Sequence, residues 1–552
     1  MPGERLYLNV EDAIGHYLQG SAQKLDAYAH QELNRFARSI GSEKLVAELP
    51  PPQVATYAEN VVSSGGDIHG RLGPIKEFLA YLNKKGLSTH SLSAHVKIPR
   101  ASVRASARVS HDTIEMSLSG RINFRIKPSQ SILGKTCIPG DKSISHRAII
   151  LAAIAEGESR IKNFLQGEDT LATIRVFQEM GVSIRNNGDY VLVKGVGLSG
   201  LHAKNPILNF GNSGTSVRLL AGLLSSQKFN SQLIGDESLM KRPMLRIVDP
   251  LKKMNAKINC SKQGTLPIKI EGGQNLKGMC YELPVMSAQL KSCLLIAGLY
   301  AEGTTEIIES IPTRDHTERM LVNFSHPVTK NGNKISIKKA RRLIGCEIIV
   351  PGDFSSAAYF IVAATLSINS NLTLENIGVN PTRNAMIKIM KLMGADIELK
   401  NERLESGEPI ATINIKSSKL IGIDIPKELV PVAIDELPII LVAAAAAKGK
   451  TRLTGATELR VKESDRIQSM LDGFTALGIK AEALDDGMIV EGSQFNGGVI
   501  NSYNDHRIAM AFSIAGVIAK DSIIINNCNN VATSFPEFVD TSKKLGIEID
   551  YV

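Results

Sequence analysis

The sequence predicts an α/β protein with two similar domains, built from six repeated units and preceded by a small all-helical domain. Three observations lead to this fold class. A phrase made of a polar opening, an Ala/Leu-rich helix, a short turn and a β-branched strand recurs six times, about every seventy residues. The tripeptide Pro-Gly-Asp precedes the first and the fourth copy, at 139–141 and 351–353. Residues 1–110 lack the phrase and show helical periodicity alone.

The N-terminal residues 1–110 are predicted to form a small helical bundle. Apolar residues recur at helical spacing over four stretches, which are 10–18, 25–40, 54–62 and 74–82. Pro74 at the start of the last stretch and Gly86 just beyond its end are typical of a helix start and a helix stop. Residues 111–124 are then expected to be a linker.

A basic segment closes this part of the chain. It contains six cations and no acidic residue: Lys84, Lys85, Lys97, Arg100, Arg104 and Arg108. Two interpretations stay open, a basic arm that contacts nucleic acid and a solvated linker. The string FLAYLNKKGLSTHSL resembles the helical core-binding domain of tyrosine recombinases. That resemblance implies at most a DNA-binding or interaction module, because the catalytic Arg, His-x-x-Arg and Tyr of those enzymes do not follow.

The composition is that of an ordinary globular protein, with 552 residues of which 43% are hydrophobic and 22% charged. A net charge of +9 suits acidic small molecules and does not by itself indicate nucleic acid. Six cysteines without a Cys-x-x-Cys pair predict free, reduced and mostly buried thiols and no zinc site. The N-terminus lacks a signal-peptide pattern, and the longest apolar run, 437–447, is too short for a bilayer, so we expect a cytoplasmic protein.

The six repeats predict where the helices and the binding site lie. Their polar openings fall near residues 145, 216, 287, 355, 436 and 506. Because the helices are apolar on all faces, we expect them inside each half, with the strands outside. The six polar helix starts can then face one cleft between the halves. N–H groups and cations at these starts would surround a polyanionic ligand.

The polar openings carry the candidate binding residues. Lys142, Ser143 and Arg147 lie on or beside a first helical turn, which suits an anion, although a well-capped helix start would look the same. The turn Gly-Asn-Ser-Gly-Thr at 211–215 lets backbone N–H groups approach a ligand closely. Arg242 offers a bidentate fork for carboxylate or phosphate.

Later copies add a candidate base and a dense run of charges. Ser287 and Gln289 at a helix start are either caps or ligands. Asp435, beside a buried helix and near cations, is a candidate general base or an N-cap. The run Glu-Leu-Arg-Val-Lys-Glu-Ser-Asp-Arg at 458–466 would by itself be a solvated face. Three histidines lack metal-ligand spacing and are expected to pack or hydrogen-bond: His146, His316 and His506.

Seven phrases together are similar to the signature set of the 5-enolpyruvylshikimate-3-phosphate synthase family: PGDKSISHRA, GNSGTSVR, GDESLMKRPM, SAQLKS, TRDHTERM, ELRVKESDR and NDHRIAMAF. They are collinear over residues 125–552. The resemblance implies two domains of three βαβαββ units each, one at 141–353 and one combining 125–140 with 354–552. It implies transfer of the enolpyruvyl group of phosphoenolpyruvate to the 5-hydroxyl of shikimate 3-phosphate, by a monomer, without metal or cofactor.

The resemblance also implies roles for particular residues. The positions that match ligands of shikimate 3-phosphate are Lys142, Ser143, Arg147, Ser287, Ala288, Gln289, Arg314, Asp435 and Lys462. The positions that match the surroundings of phosphoenolpyruvate are Lys142, Gly214, Arg242, Gln289, Arg466 and Arg507. Asp435 would take the proton of the 5-hydroxyl, while Glu463 and Lys142 would handle protons of the enolpyruvyl methylene and the leaving groups. The two halves are expected to close when charge is neutralised.

Two positions bear on variation within that family. Residues 531–536, Val-Ala-Thr-Ser-Phe-Pro, lack the lysine that some members place before Thr-Phe-Pro. This indicates the subclass in which cations elsewhere hold phosphoenolpyruvate. Gly214 stands where some members of that subclass have alanine, which predicts ordinary sensitivity to the herbicide glyphosate.

Two other functions are alternatives to enolpyruvyl transfer to shikimate 3-phosphate. UDP-N-acetylglucosamine enolpyruvyl transferases share the fold and the donor, but that family is expected to carry Lys-Asn near its start and a reactive loop cysteine. This chain has Asp141-Lys142-Ser143, and Cys137 precedes the turn. The other alternative is a DNA-associated regulator or sensor that uses residues 1–110. The full set of catalytic residues argues against it.

Overall fold

A computed structural model describes residues 8–20, 27–64, 68–85, 87–88, 92–96 and 122–552. The chain divides into two compact units, Met1–Thr113 and Ile114–Val552. Four of the six cations of the predicted basic segment, and residues 111–121 of the predicted linker, lie outside the described residues. The basic arm and the linker therefore stay predictions.

The first unit is helical in its described part. Its helices are α1 (Val10–Gly20), α2 (Ala27–Ile40), α3 (Pro51–Ser64) and α4 (Ile68–Lys84), with 3-10 turns at Val46–Glu48 and Leu92–His95. Each helix contributes fully buried apolar side chains to one common core, for example Val10, Phe36, Val54 and Phe78. This confirms the prediction of a small helical bundle.

The predicted helix start at Pro74 is wrong, because α4 begins at Ile68 and contains this proline. Leu72 and Ile75 are both fully buried, which shows that the apolar face of the helix continues upstream of Pro74. Burial of this face outweighs the cost of a proline inside the helix. Gly86, the predicted stop, lies outside the described residues.

The second unit has two lobes, a central lobe (141–352) and a terminal lobe (122–140 with 353–552). The terminal lobe starts with β1 (Phe124–Ile126) and β2 (Leu133–Cys137). The central lobe follows with α5 (Lys142–Ala153), β3 (Glu156–Lys162), α6 (Glu168–Glu179), β4 (Ser183–Asn186), β5 (Tyr190–Val196), β6 (Ile207–Asn209), α7 (Gly214–Leu224), β7 (Ser231–Ile234), α8 (Glu237–Met240), α9 (Leu245–Lys253), β8 (Ile258–Asn259), β9 (Ile268–Ile270), β10 (Cys280–Glu282), α10 (Ala288–Gly298), β11 (Thr304–Ile308), α11 (His316–Asn323), β12 (Thr329–Asn331), β13 (Lys334–Lys338) and β14 (Glu347–Ile349).

The rest of the chain completes the terminal lobe. Its elements are α12 (Phe354–Leu366), β15 (Asn371–Gly378), α13 (Ala385–Leu392), β16 (Asp396–Glu405), β17 (Glu408–Lys416), α14 (Leu437–Ala446), β18 (Lys450–Leu453), α15 (Arg466–Ala476), β19 (Lys480–Leu484), β20 (Gly487–Glu491), β21 (Gly498–Asn501), α16 (His506–Val517), β22 (Ile523–Asn526), α17 (Phe538–Lys544) and β23 (Ile549–Tyr551). Two 3-10 turns, Thr457–Val461 and Asn529–Thr533, lie beside the cleft between the lobes.

Each lobe contains three small sheets. Their strand orders are β14-β3-β5-β4, β6-β7-β9-β8 and β10-β11-β13-β12 in the central lobe, and β16-β17-β15-β2, β18-β20-β19 and β21-β22-β1-β23 in the terminal lobe. Five sheets combine one parallel pair with antiparallel neighbours. The three-stranded sheet has only isolated parallel bridges, Ile421 with Lys448 and Asp424 with Arg452, in place of a fourth strand. Six sheets with six inner helices confirm the predicted six-unit α/β fold.

The six Ala/Leu-rich helices form the inside of the lobes. They are α5, α7 and α10 in the central lobe and α12, α14 and α16 in the terminal lobe, and every residue of α16 is buried. One hydrophobic cluster draws on residues 144–350, and a second on residues 124–138 and 354–549. These clusters support the predicted domain limits, 141–353 and 125–140 with 354–552, which stay a prediction.

The two Pro-Gly-Asp turns pair where the chain crosses between the lobes. Gly140 and Gly352 form an antiparallel bridge. The main-chain N–H groups of Asp141 and Asp353 each donate to the proline carbonyl of the other turn, at 2.8 and 2.9 Å. A Cβ at residue 140 would lie 1.9 Å from the carbonyl oxygen of Asn163, so this close approach requires glycine.

All six cysteines are free, but the prediction that they are mostly buried is wrong. Cys293 and Cys528 are buried, whereas Cys137 and Cys280 are exposed. The exposed pair lies on β2 and β10, which are edge strands of their sheets. No helix in the described part of the chain is long and apolar enough to cross a membrane.

Candidate active site

A cavity of about 230 Å³ lies between the two lobes of the second unit. All six inner helices reach its wall within two residues of their first residue. The contributing residues at these starts include Lys142, Gly214, Ala288, Asp353, Asp435 and His506. The polar openings of the six repeats therefore face one cleft, as the repeat pattern predicts.

The cavity wall is strongly positive. Nine Lys and Arg side chains and five Asp and Glu side chains line it, a formal surplus of four positive charges with histidine neutral. Each helix start adds the partial positive charge of its N–H groups. A wall of this kind favours a ligand with several negative charges.

Lys142 begins α5 and reaches from the central lobe to the terminal lobe. Asp141 caps the helix by accepting a hydrogen bond from the N–H of Ile144 at 2.9 Å. The Lys142 ammonium donates to Asp169 Oδ2 and to Ser534 Oγ, each at 3.2 Å. Ser534 belongs to the terminal lobe, so Lys142 stands where both lobes can present groups to the same ligand.

Arg147 lies one turn further along α5 and is held rigidly. Its Nε donates to Thr317 and its Nη2 to Ser292, both at 2.7 Å, while Nη1 donates to the carbonyl oxygen of Ser143 at 2.9 Å. Burial lowers the pKa of Arg147 to about 10, which leaves the guanidinium charged at neutral pH. The side chain is therefore a fixed cation at the cavity wall.

Two arginines lie beside the glycine of the turn before α7. Ser213 caps α7. A Cβ on Gly214 would lie 3.0 Å from Nη1 of Arg218 and 3.0 Å from Nη1 of Arg242. Burial, followed by the charges of Arg246 and Arg242, lowers the pKa of Arg218 to about 9. Guanidinium groups gathered this closely form a site for an anion that would relieve their mutual repulsion.

Gln289 connects Arg218 and Thr215 of α7 to α10. Its Oε1 accepts from Arg218 Nη1 at 2.8 Å, and its Nε2 donates to Thr215 Oγ1 at 3.1 Å. Ser287 is the N-cap of α10 and accepts from the N–H of Leu290 at 3.2 Å. The cap interpretation of Ser287 is therefore correct, and its place on the cavity wall leaves a ligand contact open.

Asp435 lies among cations from both lobes. Its Oδ2 accepts from Arg314 Nη2 at 2.5 Å and lies 3.7 Å from Arg507 Nη2, while Oδ1 lies 3.6 Å from Arg466 Nη1. Burial alone would raise the pKa of Asp435, but Arg507, Arg314 and Lys462 hold it well below its ordinary value. Asp435 is consequently ionised at neutral pH.

Glu463 faces the cavity from the terminal lobe. Its Oε2 accepts from Arg466 Nη2 at 2.5 Å, and its Oε1 lies 3.9 Å from Arg242 Nη1 of the central lobe. Burial would raise the pKa of Glu463, but Arg466, His506 and Arg242 hold it well below its ordinary value. Burial lowers the pKa of Lys462, its neighbour in the chain.

The structure places all but one of the predicted site residues on the cavity wall. These residues are Lys142, Ser143, Arg147, Gly214, Arg242, Ser287, Ala288, Gln289, Arg314, Asp435, Lys462, Glu463 and Arg507. Arg466 is the exception: it lies behind the wall, where Asp505 Oδ2 accepts from its Nε at 2.8 Å. The roles of all these residues as ligands or catalysts stay predictions.

The three histidines have different surroundings. His146 is 2.8 Å from Thr173 Oγ1 and His316 is 2.8 Å from Glu408 Oε1, so both are buried hydrogen-bonding residues. His506 lines the cavity, and burial with Lys142 nearby lowers its pKa well below the ordinary value. Among the described residues, no group of His, Cys, Asp and Glu side chains is arranged to hold a metal ion.

Three further arginines line the wall, Arg218, Arg246 and Arg383, to which the sequence patterns assign no role. Arg218 was detectable, because it lies four residues after Gly214 and thus on the same face of the helix. Arg246 and Arg383 lie at or before helices that are not part of the repeated phrase. Only the fold brings these two to the cleft.

Comparison with known proteins agrees with this geometry. The sequence model of the EPSP synthase family (3-phosphoshikimate 1-carboxyvinyltransferase) matches residues 126–542. A 3-phosphoshikimate 1-carboxyvinyltransferase from Alkalilimnicola ehrlichii is 52% identical over 430 residues, which are 78% of this chain and 96% of that protein.

Solved structures show the same relationship. An EPSP synthase from Acinetobacter baumannii matches with a TM-score of 0.72 and 50% identity, over 78% of this chain and 100% of that chain. The enolpyruvyl transferase NikO from Streptomyces tendae, at 15% identity and a TM-score of 0.65, shares the fold over 78% of this chain and 99% of its own. With its six-unit fold and its match over residues 126–542, the chain belongs to the EPSP synthase family.

Proposed function

We propose that the cavity between the lobes transfers the enolpyruvyl group of phosphoenolpyruvate to the 5-hydroxyl of shikimate 3-phosphate and releases phosphate. Family membership supports the reaction. One observation supports its location: six inner helices begin at one cavity, whose wall carries a surplus of four positive charges. Two polyanions can lie side by side there because fixed cations offset their repulsion.

Shikimate 3-phosphate binds against the starts of α5 and α10. Lys142, Ser143 and Arg147 offer one group of contacts, and the second consists of Ser287, Ala288 and Gln289. Arg314 of the central lobe and Lys462 of the terminal lobe complete the ligand set. The fixed position of Arg147 supports this assignment, since an arginine that is already ordered loses little entropy on binding an anion.

Phosphoenolpyruvate binds beside Gly214. Arg242 and Arg507 supply charge from the two lobes, and Gln289 lies between the two substrates. Arg218 and Arg246 add charge behind Arg242, which supports an anion site at this end of the cavity. Arg466 joins the set when Glu463 is drawn away from it.

The chemistry requires one base and a proton carrier. Asp435 takes the proton of the 5-hydroxyl as that oxygen bonds to C2 of phosphoenolpyruvate and C3 gains a proton. The tetrahedral intermediate then loses a proton from C3 and releases phosphate, which restores the double bond. Phosphoenolpyruvate shares the charge of Arg242 and so raises the pKa of Glu463, which then binds a proton, gives it to C3 and takes one back. Lys142 gives a proton to the leaving phosphate and regains one from Asp435, which returns Asp435 to its ionised form.

The cations around Asp435 also explain why this base acts only with substrate bound. Arg314 and Arg507 keep its pKa low, and a carboxylate of low pKa is a weak base. Both arginines are assigned to substrate anions, which share their charge and so raise the basicity of Asp435. Substrate binding therefore activates the base.

Product analysis tests this function. The full chain is incubated with shikimate 3-phosphate and phosphoenolpyruvate, and phosphorus NMR and mass spectrometry identify the products. We expect phosphate and the 5-enolpyruvyl ether in equal amounts, and neither when one substrate is omitted. UDP-N-acetylglucosamine offered as the acceptor should give no product, and turnover of that acceptor alone would refute the assignment.

A monomeric, cytoplasmic enzyme remains our expectation. Sedimentation of the full chain measures its mass, and cell fractionation its location. The nucleic-acid role of residues 1–110 and their recombinase resemblance stay predictions, because the family match begins at residue 126. A salt-dependent DNA shift that is lost on deleting residues 1–110 would support that role.

A further inference from the structure

Arg383 is buried at the point where the chain crosses between the lobes. It lies just before α13, and only 3% of its surface is exposed. Its Nη1 donates to Asp141 Oδ2 at 2.5 Å, and its Nη2 donates to Asp353 Oδ1 at 2.8 Å and to Ser355 Oγ at 2.8 Å. One guanidinium therefore binds the aspartates of both Pro-Gly-Asp turns.

These two aspartates begin one helix in each lobe. Asp141 caps α5 of the central lobe, and Asp353 caps α12 of the terminal lobe by accepting from the N–H of Ser355 at 2.8 Å. Asp353 also accepts from the main-chain N–H of Lys142 through Oδ2, at 3.0 Å. The first residue of α5 is thus attached directly to a carboxylate of the other lobe.

Arginine suits this position for a physical reason. Two buried carboxylates close to each other repel unless a cation lies between them. Burial would raise the pKa of Asp353, but Arg383 and the N–H of Lys142 lower it below its ordinary value. The planar fork of arginine binds both carboxylates at once, whereas the single ammonium of lysine cannot reproduce the fork.

We infer that Arg383 is a positioning residue for enolpyruvyl transfer, which joins the caps of α5 and α12 and thereby fixes where Lys142 stands relative to the terminal lobe. The inference rests on the proposed function for its effect on rate. It does not require that Arg383 touch a substrate. Arg383 acts through Asp141 and Asp353, at the point where the chain crosses between the lobes.

The test compares Arg383→Lys and Arg383→Ala with Arg403→Lys as the control. Arg403 is a half-exposed arginine of the same lobe, whose Nη2 donates to Asn376 Oδ1 at 2.9 Å. For Arg383→Lys we expect kcat per folded molecule to fall about a hundredfold, because displacement of a reacting group by about 1 Å costs that much. The dissociation constant of shikimate 3-phosphate, measured by calorimetry, should change less than about fivefold.

Two further readouts separate positioning from general stability. Guanidinium ion should restore at least about a tenth of the lost rate to Arg383→Ala and nothing to the control. A double-mutant cycle combines Arg383→Lys with Asp353→Asn. In the Arg383→Lys background, Asp353→Asn should lower kcat much less than it does in the wild type, because both changes break the same contact. Wild-type kcat in Arg383→Lys, absence of rescue, or strict additivity in the cycle would overturn the inference.

Small-angle X-ray scattering distinguishes this inference from the proposed function. Shikimate 3-phosphate should make the wild-type chain more compact and should leave Arg383→Lys unchanged, since the helix caps of the two lobes are no longer joined by a side chain in the variant. If the wild-type chain shows no turnover, the proposed function fails, and the difference in compaction still decides the inference. Equal compaction of the two chains would overturn it.

Discussion

Asp435→Asn should remove most of the turnover and leave the fold intact. Asparagine has the same shape and can still accept the hydrogen bond that Arg314 donates at 2.5 Å. It cannot accept the proton of the 5-hydroxyl. The change therefore separates the base from the hydrogen-bonding role of residue 435.

The magnitude follows from the role of the carboxylate. A positioned general base contributes about 10² to 10⁴ in rate, or roughly 3 to 5 kcal/mol of transition-state stabilisation. Arg507 and Arg466 lie within 3.7 Å of the carboxylate and lose their counter-charge in the variant. Because these cations then attract substrate anions more strongly, KM should not rise in step with the fall in kcat.

The assay is phosphate release at saturating concentrations of both substrates. Glu408→Gln is the matched control, since Glu408 is also a buried carboxylate of lowered pKa and binds His316 outside the cavity. We expect the control to retain kcat within about threefold of the wild-type value. A kcat for Asp435→Asn within that same range would refute Asp435 as the base. An equal loss of kcat in both variants would show that the loss of any buried carboxylate lowers turnover.

Gly214→Ala should raise KM for phosphoenolpyruvate and the inhibition constant of glyphosate about tenfold, because its Cβ, 3.0 Å from Arg218 and Arg242, would push both guanidinium groups aside. A low inhibition constant that the change leaves unaltered would be evidence against this. Gly140→Ala should lower the melting temperature much more than Gly352→Ala, since the new Cβ meets a backbone oxygen at 1.9 Å in the first case and a flexible side-chain carbon at 2.9 Å in the second. Equal shifts of the melting temperature in these two glycine variants would contradict this expectation. Glu463→Gln should lower kcat about a hundredfold with little change in the melting temperature, as steady-state rates and calorimetry would show. The low pKa values of Asp435 and Glu463 give stability that is present above their unfolded pKa of about 4 and is lost as the pH falls through the folded values. Urea unfolding from pH 5 to pH 2 should therefore show a shallower loss for Asp435→Asn than for the wild type, and parallel curves would rule this out.

The repeats and the helix starts could be predicted from the sequence because both are local. A polar cap marks where a helix begins, and a helix that is apolar on every face must be buried. About a dozen residues therefore specify that the helix is inside a lobe and that its start faces a polar surface. Asp141, Ser213 and Ser287 each cap a helix that begins at a polar opening of the repeat. This local information was enough to place Lys142, Gly214 and Gln289 on one wall.

Contacts between distant segments could not be predicted in this way. Arg383 depends on Asp141, which lies 242 residues away in the chain. Asp505 and Glu463, which accept from Arg466 and hold it behind the wall, could not be paired with it from the sequence, and its predicted ligand contact stays a prediction. Tertiary packing likewise extends α4 past Pro74, against the local preference of proline.

Phosphate release from shikimate 3-phosphate and phosphoenolpyruvate is the measurement that tests the central claim most directly, when the full chain is compared with a chain that starts at Ile122. Every residue of the cavity wall lies between 142 and 533. We therefore predict the same kcat and the same KM for both chains. Activity in the full chain alone would make the helical unit part of the enzyme, and no phosphate release from either folded chain would contradict the assignment of this cleft.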